Sequence, residues 1–376
     1  MELYKHSAVI IPAYKPDDRL PPYVAALKEA GLGKIVIVDD GSGDDYAPLF
    51  AAIPQDETVH IISYVPNAGK GVALKRAMQY LLDECPEQAY IITADSDGQH
   101  TVADVLRMTD SLHEDDSGLL LGSRDFDQPD VPRKSFWGNR ITTVVFKLFY
   151  GQWVTDTQTG LRGFSRKLLP MMIAAKGERY EYEMNMLIEC ARQKQPMRAL
   201  PIETVYENNN EGSHFRPFQD SVRIYKVILG NFLRYVSVSV GSFVIDYLLF
   251  VLLNFLFQKF VPALEHEFKF LFFSIIARIG LAVVLARLFS GTANFLLNRS
   301  VVFQDKEGVG KSIPRYLCVF FLNMILSAAL TSSLHLWFGV SDQLIKIPVD
   351  ILLFFLSYKL QQNWVFAPKK KESADA

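Results

Sequence analysis

Four apolar stretches in the second half of the chain, about 233–257, 270–297, 316–338 and 345–366, leave little freedom in what it can fold into. Each is long enough to cross a hydrocarbon core of about 30 Å, which takes about 20 helical residues. The residues before them are a different population and read as a soluble α/β domain. The expected division is a soluble domain over 1–215, an interfacial amphipathic helix over 216–231, a four-span membrane domain over 232–367 and a basic tail over 368–376. In the interfacial segment Val222, Tyr225, Ile228 and Leu229 fall on one helical face, with Arg223 and Lys226 on another. That pattern suits an anionic leaflet.

Basic residues gather before the first span (Arg216, Arg223, Lys226, Arg234), between the second and third (Arg299, Lys306, Lys311, Arg315) and after the fourth (Lys369, Lys370, Lys371). The positive-inside rule then places both termini and the soluble domain in the cytoplasm. The spans also repeat: Arg234-Tyr235 matches Arg315-Tyr316, and Val302-Phe303 matches Val365-Phe366. Ionisable groups inside spans are costly and so are functional candidates. Asp246 and Arg287 lie at similar depth by helical rise, and the repeat sets Asp350 opposite Arg287. A polar cluster of Asp246, Arg287 and Asp350 is expected, continued by Asn294 and Asn298, either as a lock on the bundle or as a substrate path.

A net charge of −2 gives no pull towards nucleic acid, and no nucleic-acid partner is expected. The three cysteines, Cys85, Cys190 and Cys318, show no pairing or ligand spacing, which fits a reduced compartment. Residues 1–5 lead straight into a strand, so no signal peptide is expected.

Within the soluble half, short apolar runs at 7–11, 34–38, 58–64, 90–93 and 118–121 alternate with helical segments at 21–30 and 101–113. Such alternation predicts a mainly parallel, Rossmann-like sheet with ligands outside the strand C-termini. Each run ends in polar residues: Pro12-Ala13-Tyr14, Asp39-Asp40-Gly41-Ser42, Asn67-Ala68-Gly69-Lys70-Gly71, Asp95-Ser96-Asp97-Gly98-Gln99 and Ser123-Arg124. Two carboxylates one residue apart at a strand end suit a hard divalent cation and a diphosphate. The same residues would also serve as an Asx turn capping the next helix. The glycines around Lys70 allow close backbone approach, and the lysine could meet a phosphate at a helix N-terminus.

The order of these strand ends resembles the inverting nucleotide-sugar glycosyltransferases of family 2, within them the polyprenyl-phosphate glycosyltransferases that include dolichyl-phosphate mannose synthase. Later motifs extend the likeness to about residue 225: Arg133-Lys134-Ser135 with Asn139, 156–164, 180–183, 201–206 and 213–217. One departure is Gln158, where many members have proline. The resemblance implies a GT-A fold in which Pro12, Ala13, Tyr14, Asp39, Asn67, Lys70, Asp95, Ser96 and Ser123 hold the nucleotide sugar. It further implies that Asp95, Asp97 and Gln99 hold Mg²⁺ or Mn²⁺, that Asp97, Asp156 and Arg124 are catalytic, and that Arg133, Lys134, Ser135, His214 and Arg216 meet the acceptor phosphate. The second half resembles the GtrA-like membrane domains, most specifically over 286–299.

The implied reaction is attack by a polyprenyl phosphate oxygen, undecaprenyl phosphate in a bacterial cytoplasmic membrane, on the anomeric carbon of a UDP- or GDP-linked sugar. A phosphomonoester has a second pKa near 6 and already carries an anionic oxygen at neutral pH. A dedicated base is then not obligatory, and Asp156 is either a base, an orienting group or a turn cap. Glu181 and Glu183 are expected on a helix near the acceptor side. The membrane domain would anchor the chain and present or translocate the product. A processive polysaccharide synthase is disfavoured because no Arg-Trp pair occurs. A lipid-linked-sugar transporter whose cytoplasmic domain senses nucleotide sugars is the alternative, and homo-oligomerisation is left open.

Overall fold

The computed structural model describes residues 3–126, 133–203, 217–270, 273–303, 305, 309–338 and 342–366. The chain forms two compact units, Met1–Ile228 and Leu229–Ala376.

The first unit is built on a seven-stranded sheet. Its strands are β1 (Ser7–Ala13), β2 (Lys34–Asp40), β3 (Val59–Tyr64), β4 (Tyr90–Thr93), β5 (Leu119–Ser123), β6 (Arg162–Ser165) and β7 (Met197–Pro201), in the order β3-β2-β1-β4-β6-β5-β7. Its helices are α1 (Leu20–Glu29), α2 (Ala47–Ala51), α3 (Lys70–Glu84), α4 (Val102–Glu114), α5 (Arg133–Tyr150), α6 (Leu169–Ala174) and α7 (Glu181–Arg192). Every residue of β1 and β5 is buried, as strands covered on both faces must be. Val9, Ile11 and Ala13 pack with Val24 and Leu27 of α1 and Val105 and Met108 of α4, while α3 packs on β1 and β2.

β1 to β5 and β7 run parallel, and β6 is antiparallel to both β4 and β5. Strand β6 therefore starts at the edge where its neighbours end. The loop 151–161 is delivered to the same edge as the five polar strand ends.

Helix α8 (Pro217–Phe260) runs through the residues read as a separate interfacial helix, and the division between the units falls inside it. Part of its opening face packs within the first unit. Ile224 and Ile228 are buried, Tyr225 meets Thr142 of α5 at 3.1 Å, and Tyr150 donates to the Ile228 carbonyl at 3.0 Å. Val222, assigned to the same apolar face, is exposed.

The second unit contains the rest of α8 with α9 (Ala277–Leu297), α10 (Val309–Phe338) and α11 (Asp342–Leu360). Ser221–Phe260 and Ala277–Val302 are long and apolar enough to cross a membrane. Phe243, Tyr247, Leu248, Val251 and Leu252 of α8 are all exposed, as a lipid-facing surface would be. The second span was expected from residue 270, but a hairpin of β8 (Glu267–Phe270) and β9 (Phe273–Ile276) precedes α9. Helices α9 and α11 both close with a π-helical turn, Asn298–Val302 and Gln361–Val365, at the positions the internal repeat equates.

Candidate active site

Strand β4 ends at Thr93, and the next residues leave the sheet half-buried: Asp95, Ser96, Asp97, Gly98 and Gln99. Asp97 accepts from the Gln99 backbone N–H at 3.1 Å, a local Asx turn. The cap of α4 is supplied elsewhere, by Thr101, whose hydroxyl accepts from the Asp104 N–H at 3.1 Å. Neither Asp95 nor Asp97 is consumed in capping. Their oxygens face a small cluster of charges.

Lys70 lies 2.7 Å from Asp95 and 3.0 Å from Glu183, and His100 lies 3.5 Å from the other Asp95 oxygen. Burial alone would raise the Asp95 carboxyl, yet Lys70 and His100 outweigh it and hold the group well below the usual carboxylate range. Burial likewise opposes the Lys70 charge, and the two carboxylates reverse that and raise the ammonium above its ordinary value. Asp97 is pushed upward, first by burial and then by the neighbouring Asp95. One carboxylate is thus favoured as an anion, and the second, beside it, gives up its proton less readily until a cation joins them.

The neighbouring strand ends are tied to this cluster. Asp40 is buried and accepts from Ala68 N–H at 2.8 Å, Gly69 N–H at 2.9 Å and Asn67 Nδ2 at 2.9 Å. These donors open α3, so the anion at that helix N-terminus is Asp40 itself and those amides are not left for a phosphate. Val72 N–H is also taken, by the Glu178 carbonyl at 3.0 Å. Gly69, at φ 103°, brings α3 so close that a Cβ would sit 2.6 Å from that carbonyl oxygen. Asn67 is thereby an organiser of the loop, while Lys70 projects from its first helical residue into the site. Asp39 remains half-buried and accepts from Ser42 N–H at 2.9 Å. Ser42 in turn accepts from Lys15 N–H at 2.9 Å, which joins the β2 loop to the one that carries Pro12, Ala13 and Tyr14.

On the other side of β4, Arg124 and Asp156 form a two-pronged ion pair: Nε to Oδ2 at 2.7 Å and Nη2 to Oδ1 at 3.1 Å. Asp156 is fully buried and also accepts from Gln158 N–H at 3.0 Å, a bond that a proline at 158 could not make. Its oxygens are occupied as those of an orienting group. Asn139 of α5 holds the same loop through the Thr155 carbonyl at 2.6 Å, and Ser123 meets Thr155 at 2.8 Å. Gly160 follows, where a Cβ would lie 2.2 Å from an Asp95 oxygen. A cavity of about 400 Å³ opens beside Ser123 and Arg124, walled by Phe136, Arg140 and Trp153.

Lys70, Asp95 and His100 meet in one cluster, Ser123, Arg124 and Asp156 gather around the 151–161 loop, and Glu183, expected near the acceptor side, contacts Lys70. Glu181 instead accepts from the Glu178 and Arg179 backbone N–H groups. Arg133, Lys134 and Ser135 begin α5, but their side chains lie outside the described residues, as do His214 and Arg216 entirely. In the second unit Asp246 accepts from Ser290 at 2.8 Å and Asn294 from Asn298 at 2.9 Å. The side chains of Arg287 and Asp350 fall outside the described residues.

Two family models match the chain. Glycosyl transferase family 2 covers residues 8–170, and the GtrA/DPMS transmembrane domain covers 234–366. An uncharacterized protein of Methanocaldococcus jannaschii is 31% identical over 202 residues, 53% of this chain and 81% of the relative. A UDP-N-acetylglucosamine–dolichyl-phosphate N-acetylglucosaminyltransferase of Methanococcus voltae is 28% identical over 221 residues, 53% of this chain and 85% of the relative. Among solved structures, glucosyl-3-phosphoglycerate synthase from Mycobacterium tuberculosis, crystallised with Mn²⁺ and UDP, gives a TM-score of 0.47 at 16% identity, over 61% of this chain and 81% of that one. With its sheet edge, its Asp95-to-Asp97 strand end and its apolar helices accounted for, the chain belongs to glycosyl transferase family 2 and carries a GtrA/DPMS transmembrane domain.

Proposed function

We propose that this protein transfers a monosaccharide, with inversion, from a UDP- or GDP-linked sugar to a polyprenyl phosphate of the undecaprenyl type at the cytoplasmic face of the membrane. The observation that carries the reading is the convergence, at one sheet edge, of the Asp95/Asp97 carboxylates with the Arg124–Asp156 pair and a cavity open beside it. The dolichyl-phosphate activity named for the Methanococcus voltae relative supports the acceptor class.

The donor set fits Mg²⁺ or Mn²⁺. No group of three or more His, Cys, Asp or Glu among the described residues is placed to hold a metal alone, and Mg²⁺ sites beside phosphates commonly use one or two carboxylates and let the substrate supply the rest. Asp95 and Asp97, with the Gln99 amide, are hard oxygen donors of that kind. When bound, the cation would neutralise charge on the departing diphosphate. Lys70, held beside Asp95 by Glu183, adds a second positive charge at the same edge. Asp39 and Tyr14 flank the nucleotide side.

On the acceptor side, Asp156 fixes the Arg124 guanidinium, which lines the cavity. Arg124 and Arg140 line that cavity beside Asp125, and Phe136 and Trp153 give it apolar walls, so it offers a lipid phosphate both guanidinium donors and apolar surface. The phosphate needs no base because it is already ionised. Helix α5 also exposes Trp137, Ile141, Val144 and Leu148, spaced as one helical stripe, and Trp153 lies beyond them. A leaflet surface would cover such a stripe.

Proton NMR of the lipid product made by the full chain tests the stereochemistry: inversion turns an α-linked donor into a β-linked lipid phosphate. An α-linked product would overturn the direct displacement described here.

A further inference from the structure

Lys70 has two anionic partners and reaches both at once. Its ammonium lies 2.7 Å from Asp95 Oδ1 and 3.0 Å from Glu183 Oε1. The side chains of Lys70, Asp95 and Glu183 keep only 17%, 30% and 12% of their surface exposed, so water screens these charges little. Asp95 has no slack. Its Oδ2 lies 3.5 Å from His100 Nε2, and a Cβ on Gly160 would fall 2.2 Å from the same oxygen. A divalent cation on Asp95 and an ammonium 2.7 Å from its Oδ1 are like charges on one carboxylate, and one of them must yield. The lysine, a point charge on a flexible stem, is the one that can move.

Glu183 is placed to receive it. The residue stands in the first turn of α7, which the backbone ties to the start of α3. Val72 N–H donates to the Glu178 carbonyl at 3.0 Å, and a Cβ on Gly71 would lie 2.6 Å from the Tyr182 Cβ. Arg162 donates to the Glu183 backbone carbonyl and, through Nε, to the Thr159 carbonyl at 3.0 Å. Arg162 is buried, and its bonds among the described residues go to carbonyl oxygens and the Met186 sulfur. Its charge therefore leaves the Glu183 carboxylate to Lys70. Lys70 and Glu183 share one corner of the fold, whereas Asp95 arrives from β4.

We propose that Glu183 is a positioning residue that takes over Lys70 when Asp95 binds its divalent cation. Beforehand Lys70 bridges the two carboxylates; afterwards it rests on Glu183 alone and Asp95 Oδ1 is released. Partners are exchanged and no proton moves. The role rests on the metal reading of Asp95 and Asp97. It makes the lysine a competitor of the metal and the glutamate its helper, both through one ion pair.

The test uses the full chain in lipid nanodiscs with Mn²⁺ alone as the probe, free and bound ion being counted by electron paramagnetic resonance. Lys70→Met should bind Mn²⁺ about ten-fold more tightly than wild type, because Asp95 has no partner to surrender. Glu183→Gln leaves Lys70 with Asp95 only and should bind about five-fold more weakly. The double variant separates exchange from the general field of a charge: in the Lys70→Met background, Glu183→Gln should change the affinity less than about two-fold. Glu183→Gln is isosteric and keeps the Lys70–Asp95 pair, so it decides the matter even where Lys70→Met fails to fold. Unchanged or tighter Mn²⁺ binding in Glu183→Gln, or additive effects in the double variant, overturns the exchange alone. Failure of the wild type to bind Mn²⁺ even with UDP overturns the metal reading and the exchange with it.

Discussion

Asp39 and Asp40 are neighbours on one strand with opposite tasks. The alternation of a strand turns Asp40 inward onto the amides that open α3 and leaves Asp39 half-buried against Ser42 at the strand end. Gly160 shows the same economy of space, because any side chain there must displace the Asp95 carboxylate. Gly160→Ala is expected to fold, since the obstructing atoms are the end of a side chain, and to lower kcat/KM about 100-fold, the cost of misplacing a reactive group by about 1 Å. Steady-state kinetics alongside thermal melts would check both halves. Asp156→Asn loses one charge of a buried pair and should cost about 3 kcal/mol in stability, measurable by denaturant titration. Its pH dependence carries more information. The fall in rate on the acid side belongs to the second ionisation of the lipid phosphate near pH 6, so as pH drops below 6 the rate should decline equally in wild type and Asp156→Asn. A flat acid limb in the variant would make Asp156 the base.

Elements position these residues through contacts that are tight at the backbone. Helix α3 lies against the first turn of α7 and the segment before it, where a Gly71 Cβ would fall 2.6 Å from the Tyr182 Cβ and 2.8 Å from the Glu178 carbonyl carbon. Gly71→Ala should destabilise by about 1–3 kcal/mol and separate Lys70 from Glu183, read as a lower melting temperature with reduced transfer. Replacing Ile141 and Val144 on the exposed stripe of α5 by serine should raise KM for the lipid phosphate and leave KM for the nucleotide sugar unchanged; equal changes in both would remove the stripe from the acceptor path. Five strands and the strand-end motifs were legible because apolar runs and turn residues are local signals. Strands β6 and β7 were not, because Arg162–Ser165 and Met197–Pro201 contain no continuous apolar run and take their places by pairing with β4 and β5. The β8–β9 hairpin was hidden inside an apolar window, although the alternation Glu267, Phe268, Lys269, Phe270 carried the strand period. Lys70 and Glu183 are too far apart in sequence for any spacing to reveal their pairing.

For the whole molecule, the sheet-based unit and the helical unit each repeat one theme, polar groups gathered where a regular element ends. In the first unit five parallel strands end in polar loops at one sheet edge, and in the second two helices end in π-helical turns joined by Asn298 and Gln361. The central claim is that the first of them moves a sugar onto a lipid phosphate. The direct measurement incubates the full chain in membranes with undecaprenyl phosphate and radiolabelled UDP- and GDP-sugars, then counts label in the organic phase. Label is predicted from at least one donor. It should be lost with EDTA, restored by Mg²⁺ or Mn²⁺, and absent in Asp97→Ala. No organic-phase label from any donor with metal and lipid present, in a correctly folded preparation, would contradict it.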